Sequence, residues 1–252
     1  MRNRVLACAV GSLAGLLLMA AHASAQPVPR TPDGKPDLTG VYQPGSAIPG
    51  TWAEANQGRG VGGGGNARQG ANPPYQLWAH ERVLQAWKRF NIDNPVARCI
   101  PQLDLGTGGL YPVQFIQTPQ AIVILLESRH NWRYIPLDVP HNPDLDPSWM
   151  GASIGRWEGN TLVVDVTNFK ERLVGSDIST DALHIVERFT RVDYNTINYE
   201  ARVEDPKALT RPYTITSKYM LRPGTVLQEY VCEDNEDPAH FDALEKKGLL
   251  SR

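Results

Sequence analysis

The chain has few cysteines and no pair of them with the spacing of a metal site. Only Cys8, Cys99 and Cys232 occur in 252 residues. None of them has a C-x-x-C partner, which excludes a dithiol redox motif and the common zinc-binding cysteine clusters. No two histidines stand two or four residues apart. We therefore expect no metal cofactor, and the pattern leaves open only a metal held by residues from distant loops.

The sequence also lacks the motifs that identify an enzyme class. It contains no G-x-S-x-G elbow, and the glycine run Gly62–Gly65 is not followed by the Lys-Ser/Thr ending of a phosphate-binding loop. No nicotinamide or flavin fingerprint is present, so we expect no redox chemistry with these cofactors. The sequence predicts no cofactor and does not identify a reaction.

The one long apolar run stands at the N-terminus and predicts export. Arg2 and Arg4 precede an apolar stretch from Val5 to Ala21, and the small residues Ala-Ser-Ala follow at 23–25. This is the pattern of a cleavable signal peptide of a bacterial-type cell. An uncleaved membrane anchor fits less well, because glycines and a serine interrupt the run. We expect cleavage after Ala25 and a mature chain in the periplasm or the medium.

Positive and negative charges nearly balance in this sequence. The formal net charge is −2, and loss of a leader with two arginines and no acids lowers it to about −4. Such a chain has no general affinity for nucleic acid or anionic lipid. After Ala25 no apolar run is long enough to span a bilayer, so we expect no membrane partner once the leader is removed.

Cys99 and Cys232 are predicted to form a disulfide. Cys8 is lost with the leader, which leaves an even pair in an oxidising compartment. By the chain-entropy model, closing a loop of this length contributes about 4–5 kcal/mol. The alternative is two unrelated buried thiols.

The mature chain is predicted to consist of an extended segment followed by one domain. Residues 26–74 are rich in proline, glycine and polar side chains, and Gln57–Pro74 is predicted to be a flexible loop. Residues 75–252 are predicted to form the domain, with one helix at Tyr75–Phe90 where apolar residues recur at near-helical spacing.

Nine segments are predicted to be strands, because apolar residues alternate within them and turn residues separate them. They are Gln114–Thr118, Ala121–Glu127, Asn131–Leu137, Ser153–Trp157, Thr161–Asn168, Ala182–Val192, Thr196–Glu204, Tyr213–Leu221 and Val226–Cys232. Short strands at regular spacing favour an antiparallel lipocalin-like β-barrel, since closure removes exposed edges. A β-sandwich is the alternative, because periodicity does not separate the two folds.

Three segments carry a resemblance to a known family. They are R-T-P-D-G-K-P-D-L-T-G at 30–40, N-P-V-A-R-C-I-P at 94–101 and S-I-G-R-W-E-G-N-T-L-V-V-D-V-T at 153–167. With these motifs the chain resembles a family of secreted bacterial proteins, and the resemblance implies no activity. Relatives often have histidine and aspartate where this chain has Ala152 and Asn160. A looser similarity to calycin barrels, which enclose apolar ligands, concerns the fold alone.

The segment from Glu127 to Glu158 is predicted to contribute a binding pocket. Tryptophans and cationic side chains interleave there, and an aromatic-lined pocket with a few orienting polar groups needs these residue types. The candidate substrate-binding residues are Trp132, Arg133, Trp149, Arg156 and Trp157. The alternative is that the tryptophans pack in the core.

Four residues are candidates for acid and base chemistry. Glu187 shares a strand face with Leu183, Ile185 and Phe189. A carboxylate on such a face either has a raised pKa, as a general acid does, or pairs with an arginine, for which Arg156 is the first candidate. Asp165 and His184 are a possible general-base dyad, with a structural histidine as the alternative. His141 is the fourth candidate.

Three functions fit these observations. The first is a cofactor-independent lyase, isomerase or hydrolase acting on a small apolar or aromatic molecule through His141, Asp165, His184 and Glu187. The second is a non-catalytic carrier or sensor of the same kind of ligand. The third is a structural envelope module, favoured if side chains fill the barrel. An enzyme needs two titratable groups converging on one cavity, whereas a carrier needs apolar walls and one or two donors.

The signal peptide gives a direct prediction. When the full chain is expressed in a bacterium, we expect the protein in the periplasmic fraction with Gln26 as its first residue, because signal peptidase cuts after small residues. N-terminal sequencing and intact mass measure this. Ala25→Leu should abolish that cut, and an unprocessed, membrane-retained wild-type chain would contradict the prediction.

Overall fold

A computed structural model describes residues 26–57, 69–70, 72–89, 99–103, 105, 111–128, 131–175, 177–231 and 246–248. The predicted leader, most of the predicted glycine-rich loop and Cys232 lie outside these ranges. Within them no helix is long and apolar enough to cross a membrane.

Nine antiparallel strands form a nearly closed barrel. They are β1 (Gly40–Pro44), β3 (Val113–Gln117), β4 (Ala121–Leu126), β5 (Asn131–Pro136), β6 (Ala152–Glu158), β7 (Thr161–Thr167), β8 (His184–Arg191), β9 (Thr196–Glu204) and β10 (Tyr213–Leu221). Their order around the barrel is β5-β4-β3-β1-β10-β9-β8-β7-β6. The two-residue strand β2 (Gln69–Gly70) adds to β10, and the described residues contain two helices, α1 (Trp52–Ala55) and α2 (Leu77–Lys88). The predicted barrel is confirmed.

The predicted elements agree with the structure except near the two ends of the described chain. The predicted helix and eight of the predicted strands are present with small shifts of their ends. The strand predicted at Val226–Cys232 is wrong for its described part, where the backbone N–H of Gln228 donates to the Glu127 carboxylate instead of to a sheet. The predicted start of the barrel at residue 75 is too late, because β1 lies between β3 and β10.

Two buried arginines attach the N-terminal part of the chain to the barrel. Arg222 is 1% exposed and donates to Gln43, Ser46 and the carbonyls of Ile48 and Gly50. Burial lowers the pKa of Arg222 to about 10, so its guanidinium stays charged at neutral pH. Arg191 donates to the carbonyls of Asp37 and Tyr194. These contacts explain why a segment rich in proline and glycine is part of the fold.

The barrel interior is filled by side chains. Five rings form a cluster in its centre with centroid distances of 5.0–5.9 Å, and they are Tyr42, Phe115, Phe189, Tyr199 and Tyr219. The cavity that remains beside this cluster is about 10 Å³, which is enough for one water molecule at most. A small barrel of this kind is packed by its own side chains unless one end widens.

The barrel closes where β5 meets β6. The backbone N–H of Asp138 donates to the carbonyl of Gly155 over 2.8 Å, and Leu137 forms a parallel bridge with Gly155. A Cβ atom at Gly155 would stand 2.8 Å from Leu137 and 2.9 Å from Ile135. Glycine at this position therefore allows β5 and β6, which stand at the two ends of the strand order, to approach each other.

Gly155→Ala should destabilise the protein by about 1–3 kcal/mol, because the added methyl group overpacks the closure. Urea unfolding followed by circular dichroism measures the free energy of unfolding. Gly159 in the same hairpin is the matched control, since a Cβ there meets no atom within 4 Å and asparagine tolerates its left-handed backbone. A loss no larger for Gly155→Ala than for Gly159→Asn would contradict this account of closure.

Candidate functional site

The predicted site residues separate into three places on the barrel. The interior holds an ion pair, the outer face of β7 and β8 holds a histidine and aspartate cluster, and one end of the barrel holds a pocket. We call these the buried pair, the outer cluster and the mouth pocket.

The buried pair joins Glu187 on β8 to Arg133 on β5. Glu187 is 0% exposed and Arg133 is 6% exposed. The two guanidinium NH groups of Arg133 donate to the two carboxylate oxygens of Glu187, one of them over 3.1 Å, and the Nε of Arg133 donates to the Ser153 hydroxyl over 2.9 Å. The hydroxyl of Tyr199 donates to Glu187 over 2.9 Å. Four strands thus meet in one network.

Arg133, and not Arg156, is the partner of Glu187, so the predicted pairing with Arg156 is wrong. Arg156 lies on the outer face and donates to Glu158 over 3.1 and 2.6 Å. In the sheet register Arg156 stands opposite Val163, whose neighbours Leu162 and Val164 point inward. Arg133 reaches Glu187 because closure of the barrel brings β5 next to β6.

The surroundings of the buried pair favour the charged form of Arg133. Burial by itself lowers the pKa of Arg133, but the adjacent Glu187 carboxylate outweighs burial and raises that pKa above the ordinary value. Burial and the same carboxylate raise the pKa of Tyr199 well above its ordinary range, so Tyr199 remains a donor. Glu187 accepts three hydrogen bonds in the packed interior. Its geometry suits a structural ion pair and not a general acid with access to a substrate.

The outer cluster places Asp165 between two imidazoles. The Nε2 of His141 lies 2.7 Å from one Asp165 oxygen, and the Nε2 of His184 lies 3.0 Å from the other. The Nδ1 of His141 lies 3.4 Å from the Thr167 hydroxyl. Burial by itself raises the pKa of Asp165, but the hydrogen bonds with His184 and His141 outweigh it and lower that pKa. Asp165 thus contacts His184, the partner considered for it from the sequence, and His141 contacts it as well.

A carboxylate that orients imidazoles is the arrangement of a general base. Asp165 is 24% exposed on the outside of the barrel, and none of the three residues lines the mouth pocket. Within the described ranges, no group of three histidine, cysteine or acidic residues has the geometry to hold a metal ion. The outer cluster therefore has the geometry of a general base but lies apart from the mouth pocket.

The mouth pocket has a volume of about 160 Å³ and lies where β8 begins and β9 ends. Eleven of the residues that line it are apolar or aromatic. They are Tyr75, Leu103, Leu105, Trp149, Phe169, Ile178, Leu183, Ile185, Val203, Leu209 and Tyr213. Polar and charged side chains line the rest, and a concave site that combines apolar walls with polar groups is typical of a small-molecule binding site.

Four charged residues also line the mouth pocket, and they are Lys170, Arg172, Asp177 and Asp205. The Asp205 carboxylate is held by its own loops, since it accepts from the backbone and hydroxyl of Thr180 over 2.7 Å each and from two further backbone N–H groups. Lys170 lies over the ring of Trp149, with Nζ 5.8 Å from the ring centroid. Both cations are on the segment that follows β7.

The five predicted binding residues do not converge. Trp149 lines the mouth pocket. Trp132 is 66% exposed on β5. Trp157 lies near the C-terminal end of β6 and packs against the core. Arg133 and Arg156 are in the ion pairs described above. The other four residues alternate along β5 and β6. Their side chains therefore lie on both faces of these two strands and are separated in the barrel.

A larger groove of about 570 Å³ lies on the outer face of β8, β9 and β10. Its side chains are mostly polar, among them Arg188, Thr190, Asn198, Glu200 and Lys218. Polar side chains of this kind are usual on the solvated face of a sheet. The larger volume of the groove therefore does not by itself make it a better candidate ligand site than the mouth pocket.

Sequence reasoning missed most of the mouth pocket. Lys170, Arg172, Leu183 and Tyr213 lie in or beside loops at one end of the barrel, and no motif contains them together. The sequence offered one signal, namely that the cations Lys170 and Arg172 stand close together shortly after a strand.

No protein-family model, no curated protein and no solved structure matches the chain. The resemblance drawn from the three sequence motifs therefore stays a prediction.

Removing Arg133 should destabilise the protein far more than removing an outer arginine. Arg133→Met leaves the Glu187 charge buried without its partner, and we expect a loss of about 3–5 kcal/mol in urea unfolding. The double variant Arg133→Met/Glu187→Leu should lose less than the sum of the single variants, since no unpaired charge remains. Arg156→Met is the matched control and should change stability little, because its ion pair is exposed. Equal losses for the two arginine variants would contradict a role of the buried pair in the fold.

Proposed function

We propose that this protein is an exported carrier or sensor that binds a small apolar or aromatic molecule in the mouth pocket of its barrel. The single observation that carries the proposal is this pocket, in which aromatic and aliphatic side chains meet polar and charged groups at one end of a packed barrel. Barrel mouths are a common place for small-molecule sites.

The pocket's size supports a small ligand. Its volume of about 160 Å³ is close to that of a cavity that binds benzene, roughly 150 Å³. Among the described residues, the packed interior leaves about 10 Å³ beside Arg133, which is too little room there for a larger molecule. We therefore propose a ligand with one ring or a short aliphatic chain.

The distribution of titratable groups favours binding over catalysis. Glu187 is occupied by three donors in the interior, and the outer cluster does not line the mouth pocket. Asp205, which does line it, is held by four donors of its own loops. Catalysis needs acid and base groups that converge on one cavity. The mouth pocket shows apolar walls more clearly than it shows such a pair of groups.

An enzyme is the second candidate, and the outer cluster favours it. Asp165 orients two imidazoles and its pKa is lowered, so His141 or His184 is able to act as a general base in a lyase, isomerase or hydrolase reaction. A structural envelope module is the third candidate, which the packed centre of the barrel favours.

Export and the disulfide belong to the same proposal. The leader pattern supports a periplasmic or secreted location, where Cys99 and Cys232 are able to pair. The described chain up to Val231 lies against the barrel, with Tyr230 packed edge-on to Tyr111 at 5.0 Å. Cys232 therefore follows a segment that is already attached to the barrel.

The binding proposal is tested by filling the pocket. Leu183→Trp should weaken binding of small aromatic molecules by about tenfold or more, because the indole occupies the ligand's space. Titration calorimetry on the mature protein with toluene, benzyl alcohol and indole measures this, and native mass spectrometry of periplasmic protein looks for a ligand already bound. Leu145→Trp is the matched control, since Leu145 is 49% exposed and does not line the pocket. Unchanged binding in Leu183→Trp, or no binding by the wild type, would overturn the proposal.

A further inference from the structure

We infer that the ligand of the mouth pocket carries an anionic group beside its ring, so that its class is a monocyclic aromatic carboxylate. The inference rests on the proposed binding function and adds the chemistry of the ligand's polar end. It is drawn from two cations on one wall of the pocket.

Lys170 and Arg172 both line the mouth pocket. They follow β7, on a segment that bridges to the rest of the protein on both sides, through Phe169 with Ser148 and through Arg172 with Ser179. Arg172 exchanges two backbone hydrogen bonds of 2.8 Å with Ser179, which fixes the backbone of this wall. Lys170 lies at the exposed rim of this wall and Arg172 in a buried position, so the segment brings two cationic residues to one cavity.

Lys170 stands at the rim with its charge available. Its Nζ lies 5.8 Å from the centre of the Trp149 ring, and in the described ranges no carboxylate is within ion-pair distance of it. Trp149 lines the same pocket. A ring that packs on the apolar walls beside Trp149 places a carboxylate substituent within reach of Lys170.

The acids of the pocket limit the strength of this recognition. Asp205 accepts four hydrogen bonds from its own loops, which compensate part of its charge. Asp177 lines the pocket as well and opposes an anion. Because Lys170 is exposed to solvent, we expect a preference for anions of a few-fold and not of several orders of magnitude.

Three ligands of similar size separate the possibilities. Titration calorimetry on the mature full chain with benzoate, benzyl alcohol and benzylamine at low salt and neutral pH should give benzoate the lowest Kd, about three- to fivefold below that of benzyl alcohol. The preference should shrink in high salt, because salt screens exposed charges. Lys170→Met should raise the Kd of benzoate toward that of benzyl alcohol and so remove the preference, whereas Lys170→Arg should retain the preference.

Lys207→Met is the matched control for general loss of positive charge. Lys207 lies on the loop that follows β9, pairs with Asp181 over 2.5 Å and does not line the pocket, so this variant should keep the preference for benzoate. Equal Kd values for benzoate and benzyl alcohol, a lower Kd for benzylamine, or an unchanged preference in Lys170→Met would overturn the inference and leave the binding function in place. Absence of binding by all three ligands would overturn the binding function itself.

Discussion

The buried ion pair between Arg133 and Glu187 is the interaction on which the closed barrel depends. Arg133 is on β5, and Glu187 is on β8. The bond from Arg133 to Ser153 on β6 and the bond from Tyr199 on β9 complete a network across the closure. A charged pair in a packed interior is stable only when each member keeps its partner. The network therefore requires the barrel to be closed, and closure at Gly155 brings β5 close enough for the pair to form.

Packing around this network also decides where a ligand has room. The five-ring cluster and the buried pair fill the centre, so the remaining described space of useful size within the barrel is at one end. Most of the walls there come from loops between strands, which are free to carry aromatic and cationic side chains because they do not build the sheet. The barrel thus acts as a support, and most of the chemistry of the proposed binding site lies in the segments that leave it.

The strand pattern made the faces of the barrel predictable. Glu187 was expected on the same face as Ile185 and Phe189, and Asp165 on the opposite face from Val164 and Val166. Both placements agree with the structure. The sequence also indicated that Asp165 and His184 are able to meet, because both were expected on the outward faces of neighbouring strands. The part played by β1 was not, because a five-residue segment next to glycine and proline has no clear alternation by itself.

The sequence by itself determined the alternation of the strands, the antiparallel β class and the side of the sheet on which each polar residue lies, because a two-residue period is a local property of the backbone. Closure into a barrel instead of a sandwich was decided by the tertiary structure, since periodicity is the same in both folds. Only the tertiary structure decided that Glu187 pairs with Arg133 instead of Arg156, that His141 joins Asp165, and that Lys170 and Arg172 share a pocket with Trp149. These contacts join residues far apart along the chain, and their distances depend on how the barrel closes and not on any local pattern.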